Sequence, residues 1–298
     1  MFGILNLNKP AGPTSRDCVN AIQQILRPVK VGHAGTLDPI ANGVLLVLVG
    51  QAVRLTDAIH TLPKQYVGEF QLGVTSESWD IESPAISLES PPLITRQDIE
   101  QVLPSFTGII QQTPPRFSAV WIGGKRAHEL ARTGQEFDLP QRNVSIYSLE
   151  LTSFDYPYFE LKMTCGTGTY VRSIGRDIAT RLGSDAIMTR LTRTSIGPFS
   201  LKNSTSLDSL VEIDDVVSHL IPASHGVKHW PQAFPSDEIL LKLEQGKQIH
   251  QPDLNGDERL KHENFSAVLD DQGRLRCLAK RLENEVWRAD KCFLLREQ

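Results

Sequence analysis

The spacing of apolar residues changes along the chain in a way that separates strands from helices. Residues 4–7 form a short apolar stretch that predicts a strand, ended by the turn-forming run Lys9-Pro10-Ala11-Gly12-Pro13. Thr14 and Ser15 then offer an N-cap, and Val19, Ile22, Ile25 and Leu26 recur at three to four residues, predicting a helix. Residues 29–31 lead into a glycine-bearing loop over 32–43, followed by an apolar run over 44–49 with the length of a buried strand. Alternation at Tyr66, Gly68, Phe70, Leu72 and Val74 predicts a half-buried strand. Residues 75–95 are acidic and rich in Ser and Pro and read as a loop within an acidic insertion, 75–100. A short helix is expected over 98–106, a break at 111–115 and a helix over 127–132. Strands are expected over 144–151 and 158–164, and a helix over 171–182.

After about residue 225 the character shifts. Residues 207–221 look helical, and 221–235 hold Pro222, Gly226, Pro231 and Pro235, as a linker does. Beyond them the pattern gives one short helix (238–245) and strand-like pieces at 267–270, 275–278 and 286–295. Two units are therefore expected, 1–225 and a small β-rich unit over 226–298.

Composition is that of a globular protein: 298 residues, 40% hydrophobic and 22% charged. No apolar run approaches the roughly 20 residues of a membrane-spanning helix, and no signal peptide is visible, so a soluble, cytoplasmic protein is expected. Cys18, Cys165, Cys277 and Cys292 lack metal-ligand spacing and read as free thiols, with no metal site. The formal net charge of −4 gives no global nucleic-acid signature. Locally, residues 77–100 carry six acids against one base, and 162–202 carry seven bases against two acids. A near-neutral total can hide a basic face.

Chemistry concentrates at Gly32-His33-Ala34-Gly35-Thr36-Leu37-Asp38-Pro39, continuing through Gly43-Val44-Leu45. A carboxylate in a glycine-flanked loop before a buried strand is a candidate nucleophile or base, although Asp-Pro is also an ordinary turn. This segment resembles the signature of the TruB family, the tRNA pseudouridine-55 synthases. Other blocks match in order: Lys9-Pro10-Ala11-Gly12-Pro13-Thr14-Ser15, Lys64-Gln65-Tyr66, and Gln112-Thr113-Pro114-Pro115-Arg116-Phe117-Ser118-Ala119. They continue with Lys125-Arg126-Ala127-His128-Glu129-Leu130-Ala131-Arg132, Cys165-Gly166-Thr167-Gly168-Thr169-Tyr170-Val171-Arg172 and Leu191-Thr192-Arg193-Thr194 with Gly197-Pro198-Phe199. The blocks span residues 9–199. Two positions depart from the family pattern: Thr167 stands where Lys is usual, and His128 where Tyr is usual.

The resemblance implies a cofactor-free isomerase that detaches uracil from C1′ of a uridine in the TΨC arm of tRNA, rotates it and rejoins it through C5. The implied fold is an α+β pseudouridine-synthase core, with a mixed, mostly antiparallel sheet, a central cleft and a PUA-like C-terminal unit. Asp38 would be the essential carboxylate, acting on the sugar, on the base or at C2′. Arg172 would pair with it and lower its pKa. Tyr66 would stack on the extruded uracil and receive the C5 proton. His33 would fill the vacated stack, and Tyr170 and Leu191 would line the uracil pocket. Lys64, Arg116, Lys125, Arg126, Arg132 and Arg193 are the expected RNA contacts, with 112–134 as an RNA-clamping element. Lys9 and Pro10 would support the catalytic loop. The implied partner is the tRNA T-arm, bound by a monomer without guide RNA or membrane. An RNA chaperone and a guide-dependent relative acting on ribosomal RNA are the competing readings.

Overall fold

The computed structural model describes residues 1–293. The capping signals are realised as the sequence suggests. Thr14 accepts from the Asp17 amide while the Asp17 carboxylate takes the Thr14 amide, a closed capping box that starts α1 (Ser15–Ile25) behind β1 (Gly3–Lys9). The apolar run becomes the buried strand β3 (Asn42–Val49), paired antiparallel with β1 on one side and with β2 (Val31–Ala34) on the other. The loop expected over 32–43 is thus shorter at both ends, because residues 31–34 find ladder partners on β3.

The main sheet continues through β4 (Lys64–Leu72), β5 (Gly108–Gln112), β6 (Arg142–Asp155) and β7 (Tyr158–Cys165). Past helix α3 (Val171–Arg181) comes β8 (Ala186–Ile196); the shorter α2 (Ala127–Arg132) lies earlier, between β5 and β6. The strand order is β1-β3-β8-β4-β7-β6-β5, with short edge strands at 205–206 and 220–221 on β1. It is mixed and mostly antiparallel, as expected; the parallel pairs are β3 with β8 and β1 with 205–206. The β3–β8 junction rests on two residue pairs, Asn42–Thr192 and Gly43–Arg193. A Cβ on Gly43 would lie 2.3 Å from the Arg193 carbonyl oxygen, so only glycine permits this junction.

Several expected boundaries shift. The break expected over 111–115 begins later, at 113, because 111–112 close an edge strand over 108–112. The 98–106 helix is an α-helix over Arg96–Val102 continued by a 3₁₀ turn. Of the helix expected over 207–221, only Ile213–Ser218 is α-helical. The acidic insertion is not simply solvated surface, because Ser76, Ser78 and Asp80 are buried within it.

The C-terminal residues form a second, five-stranded sheet. Its main strands are β9 (Phe265–Leu269), β10 (Leu275–Arg281) and β11 (Val286–Cys292), with α4 (Asp237–Glu244) packed nearby and Trp287 fully buried. Residues 294–295 of the last expected strand lie outside the described residues. Leu269, Leu275, Leu278 and Phe293 join Ile4, Leu46 and Ile59 in one apolar cluster, which packs this sheet onto the larger one. The four cysteines are free. Among the described residues no helix is long and apolar enough to cross a membrane.

Helix α3 approaches β4 through Gly175, where a Cβ would lie 2.1 Å from the ring of Phe70, itself stacked on Phe159 at 5.1 Å. Helix propensity alone favours Ala over Gly by about 1 kcal/mol, but forcing a methyl group into a packed ring costs about 1–3 kcal/mol. Gly175→Ala is therefore expected to lower the melting temperature in thermal denaturation; an unchanged or raised value would show that α3 has room to move.

Candidate active site

The loop carrying Asp38 is held by buried polar groups on both sides. Lys9, fully buried at the end of β1, donates from Nζ to the carbonyls of Pro10 (2.9 Å), Pro39 (3.2 Å) and Ala41 (2.7 Å). Ser15, at the first turn of α1, donates to the Leu37 carbonyl at 3.1 Å and accepts from the Leu37 amide at 2.8 Å. Arg193 on β8 donates to the carbonyls of Gly35 (2.9 Å), Thr36 (3.4 Å) and Val44 (2.7 Å). Buried carbonyls require donors, and these three side chains supply them on either side of Asp38. Lys9 thus bonds the loop backbone, whereas Pro10 is exposed. Arg193, expected to contact RNA, is 1% exposed, and its guanidinium is taken up by loop carbonyls.

Arg172, at the start of α3, meets Asp38 in a two-pronged pair, Nε to Oδ2 and Nη2 to Oδ1, each at 3.1 Å. Nη1 pairs with Asp80 Oδ2 (3.1 Å) and donates to the Ser78 carbonyl (3.0 Å), and Nη2 donates also to the Phe117 carbonyl (3.2 Å). Arg172 is 4% exposed, Asp80 fully buried and Asp38 33% exposed, so Asp38 alone of the three offers an accessible face. One guanidinium ties together the Asp38 loop, the 76–80 turn, the 112–134 segment and α3. The turn is fastened in its own right. Asp80 Oδ1 accepts from the Ser78 hydroxyl and the Glu82 amide, and the Trp79 ring lies 4.4 Å from the Arg176 guanidinium.

The expected lowering of the Asp38 pKa is not the net outcome. Desolvation pushes it above the ordinary carboxylate range; Arg172 pulls it back, and Asp80 adds to the rise. Burial likewise raises the Tyr66 phenol, which stays protonated at neutral pH. His33 is lowered to about 4 by desolvation and by the charges of Arg16 and Arg193, so its ring is neutral.

Asp38 opens into a cleft of about 390 Å³ walled by Tyr66, Tyr170, Leu191 and Arg172, with Phe117, Ser118, Ala119, His128 and Arg132 closing it from the 112–134 segment. Tyr170 is set by Gln112, fully buried on β5, whose amide group accepts from the Tyr170 N–H at 2.8 Å and donates to its carbonyl at 3.0 Å. His128 makes an Nδ1 hydrogen bond with the Ser118 carbonyl at 3.0 Å. Of the expected RNA contacts, Lys125 and Arg132 are exposed. Arg126 stacks 4.2 Å from the Trp121 ring and bonds the Ala119 carbonyl; Arg116 bonds the Gln135 carbonyl at 2.8 Å and covers Phe137. His33 and Lys64 lie apart from Asp38, in an adjoining cavity of about 350 Å³ beyond Tyr66 and Tyr170.

A family model described as TruB family pseudouridylate synthase (N terminal domain) matches residues 23–171. The tRNA pseudouridine synthase B of Rhodopirellula baltica is 42% identical over 262 residues, covering 83% of this chain and 75% of that protein. The chain belongs to the TruB family. A second relative, the tRNA pseudouridine synthase B of Bacillus licheniformis, is 36% identical and covers 91% of this chain and 90% of that protein. Among solved structures, a chain of a Cbf5–Nop10–Gar1 complex superposes with a TM-score of 0.77 at 26% identity, covering 98% of this chain and 85% of that one.

Within this TruB-family site, Asp80 went unread in the sequence. Its acidic, Ser- and Pro-rich surroundings look like a solvated loop, and its partner lies 92 residues away. The Thr167 departure is resolved locally, since its hydroxyl accepts from Lys64 Nζ at 2.6 Å and donates to the His60 carbonyl. Thr167 thus anchors the cation of Lys64 rather than merely lacking one.

Breaking a buried ion pair from one side costs about 3–5 kcal/mol. Asp80→Ala is expected to lose stability on that scale in chemical denaturation. Asp80→Asn, which retains polar contacts, is expected to fold but to slow the reaction by misplacing Arg172. Wild-type stability and rate in both variants would mean that the Asp80–Arg172 contact is incidental.

Proposed function

We propose that this protein is a stand-alone tRNA pseudouridine synthase, converting uridine 55 of the TΨC loop to pseudouridine. The observation that carries the reading is the half-exposed Asp38 carboxylate, held by a buried guanidinium at the floor of a cleft with aromatic and apolar walls. Breaking the N1–C1′ bond leaves electron deficiency at C1′, which a fixed anion stabilises or captures. The base then turns, C5 bonds to C1′, the C5 proton departs and N1 regains one. No net oxidation occurs, and no second carboxylate is needed to activate water.

Tyr66 and Leu191 provide a flat, dry wall for the extruded uracil, and the raised phenol pKa favours stacking over proton acceptance for Tyr66. A neutral His33 ring suits the stack that the uridine leaves. The exposed Lys125 and Arg132 suit phosphate contacts from the clamp. The division into a catalytic unit over 1–225 and a PUA-like unit over 226–298 gives the second sheet the role of added RNA surface. The relatives named tRNA pseudouridine synthase B match at 36–42% identity, against 24–26% for the chains from Cbf5 and H/ACA complexes, which favours the stand-alone reading over a guided one.

The purified protein, incubated with a tRNA transcript and no other macromolecule, is expected to form pseudouridine at position 55. Asp38→Asn is expected to bind the transcript but form none; turnover by that variant would end the assignment. Because the ionised form of Asp38 acts and its pKa is raised, the single-turnover rate is expected to be full at high pH. It should fall as pH drops through a midpoint above about 4, the ordinary carboxylate value. A midpoint at or below that value would contradict the desolvated setting of Asp38.

A further inference from the structure

Beyond Tyr66 and Tyr170, which separate it from the Asp38 cleft, lies the second cavity. Its walls carry His33, His60, Lys64, Arg142 and Arg193, and no carboxylate. Lys64 is buried, and its ammonium donates to the His60 carbonyl (2.5 Å) and the Thr167 hydroxyl (2.6 Å), neutral groups that leave one donor over and the charge unbalanced. Arg193, in the floor, is likewise bonded to carbonyls and not to an acid. Arg142 lies 4.6 Å from the Tyr170 ring and donates to the Gly168 carbonyl. Among the described residues, His33 Nδ1 and Arg142 Nε are buried without a hydrogen-bond partner. Desolvation and the neighbouring Arg193 bring Lys64 down to about 8, as expected where cations gather without an anion.

We propose that this cavity is a seat for a phosphodiester of the RNA backbone next to the extruded uridine. The inference rests on the RNA-isomerase reading above and adds to it a specific anion site. A phosphodiester supplies the negative charge that the cations of this cavity lack, which a ribose or a base does not. The position also fits: the cavity shares Thr36, Tyr66, Thr169 and Tyr170 with the Asp38 cleft. A nucleotide whose base lies against Tyr66 can therefore place its backbone on the other side of the same partition. The site fixes register without reading sequence, as phosphate contacts do.

Two measurements test it, one free of RNA. Inorganic phosphate titrated into the protein is expected to shift the imidazole NMR signals of His33 and His60 saturably, and Arg142→Gln, at a half-buried position, is expected to weaken that response. In the second, T-arm hairpins carry a single uncharged methylphosphonate at each linkage flanking the target uridine. One such linkage is expected to weaken binding by about tenfold in the wild type and by no more than about twofold in Arg142→Gln or His60→Gln, because the partner is already gone. Equal penalties in wild type and both variants, or no sensitive linkage, would overturn the proposal. If phosphate shifts the histidines while the unmodified hairpin is neither bound nor isomerised, the RNA reading itself fails and the phosphodiester assignment with it.

Discussion

A guanidinium buried between two carboxylates is the constraint on which the site depends. A charge removed from water must be matched by partners that stay in place. Arg172 finds them in Asp80, wholly inside, in Asp38, which is open on one side, and in two backbone carbonyls. Each partner comes from a different segment, so the requirement to compensate one cation also assembles the cleft. The chemistry and the local stability are therefore not separable here. The group that orients Asp38 also joins its loop to the 76–80 turn, the 112–134 segment and α3.

The loop shows the same economy in the opposite sense of charge. Lys9, Ser15 and Arg193 donate to carbonyls on both sides of Asp38, which fixes the backbone before any substrate arrives. Lys9 is lowered from the usual lysine range chiefly by burial. Cations bonded only to carbonyls leave positive potential around the cleft, and a polyanion is the ligand that benefits. This explains how a chain with net charge −4 can present a site for RNA. The balance is local, with acids gathered on the 77–100 segment and cations buried around the loop.

Much of the fold was readable because the local rules operate undisturbed. The α1 capping box, the all-apolar β3 and the alternation of β4 each follow from neighbouring residues. Strand β8 carries no clear strand pattern, because Thr189, Arg190, Thr192, Arg193 and Thr194 give it a polar surface. Its most polar member, Arg193, is nevertheless among the most buried, a pairing visible only once the Asp38 loop lies beside it. Asp38, Arg172 and Tyr66 were legible through ordered motifs, whereas periodicity alone would have left Asp38 as a turn. Asp80 was not legible, and of the basic residues of the phosphate cavity only His33, Lys64 and Arg193 were, because His60 and Arg142 join them from outside those motifs. The direction of the Asp38 pKa departs from the motif-based expectation for a related reason. Its partner could be named from a motif, but the depth of burial that outweighs that partner could not.

The most direct test replaces Arg172 with Lys, which keeps the charge but cannot span two carboxylates with a planar fork. Circular dichroism would confirm folding, and the single-turnover rate at saturating tRNA would be read beside the dissociation constant. The account predicts binding close to that of the wild type and a rate lower by about a hundredfold, the scale of losing about an ångström of alignment. A folded Arg172→Lys variant that isomerises at the wild-type rate would contradict it, because charge alone, without the two-carboxylate grip, would then be sufficient.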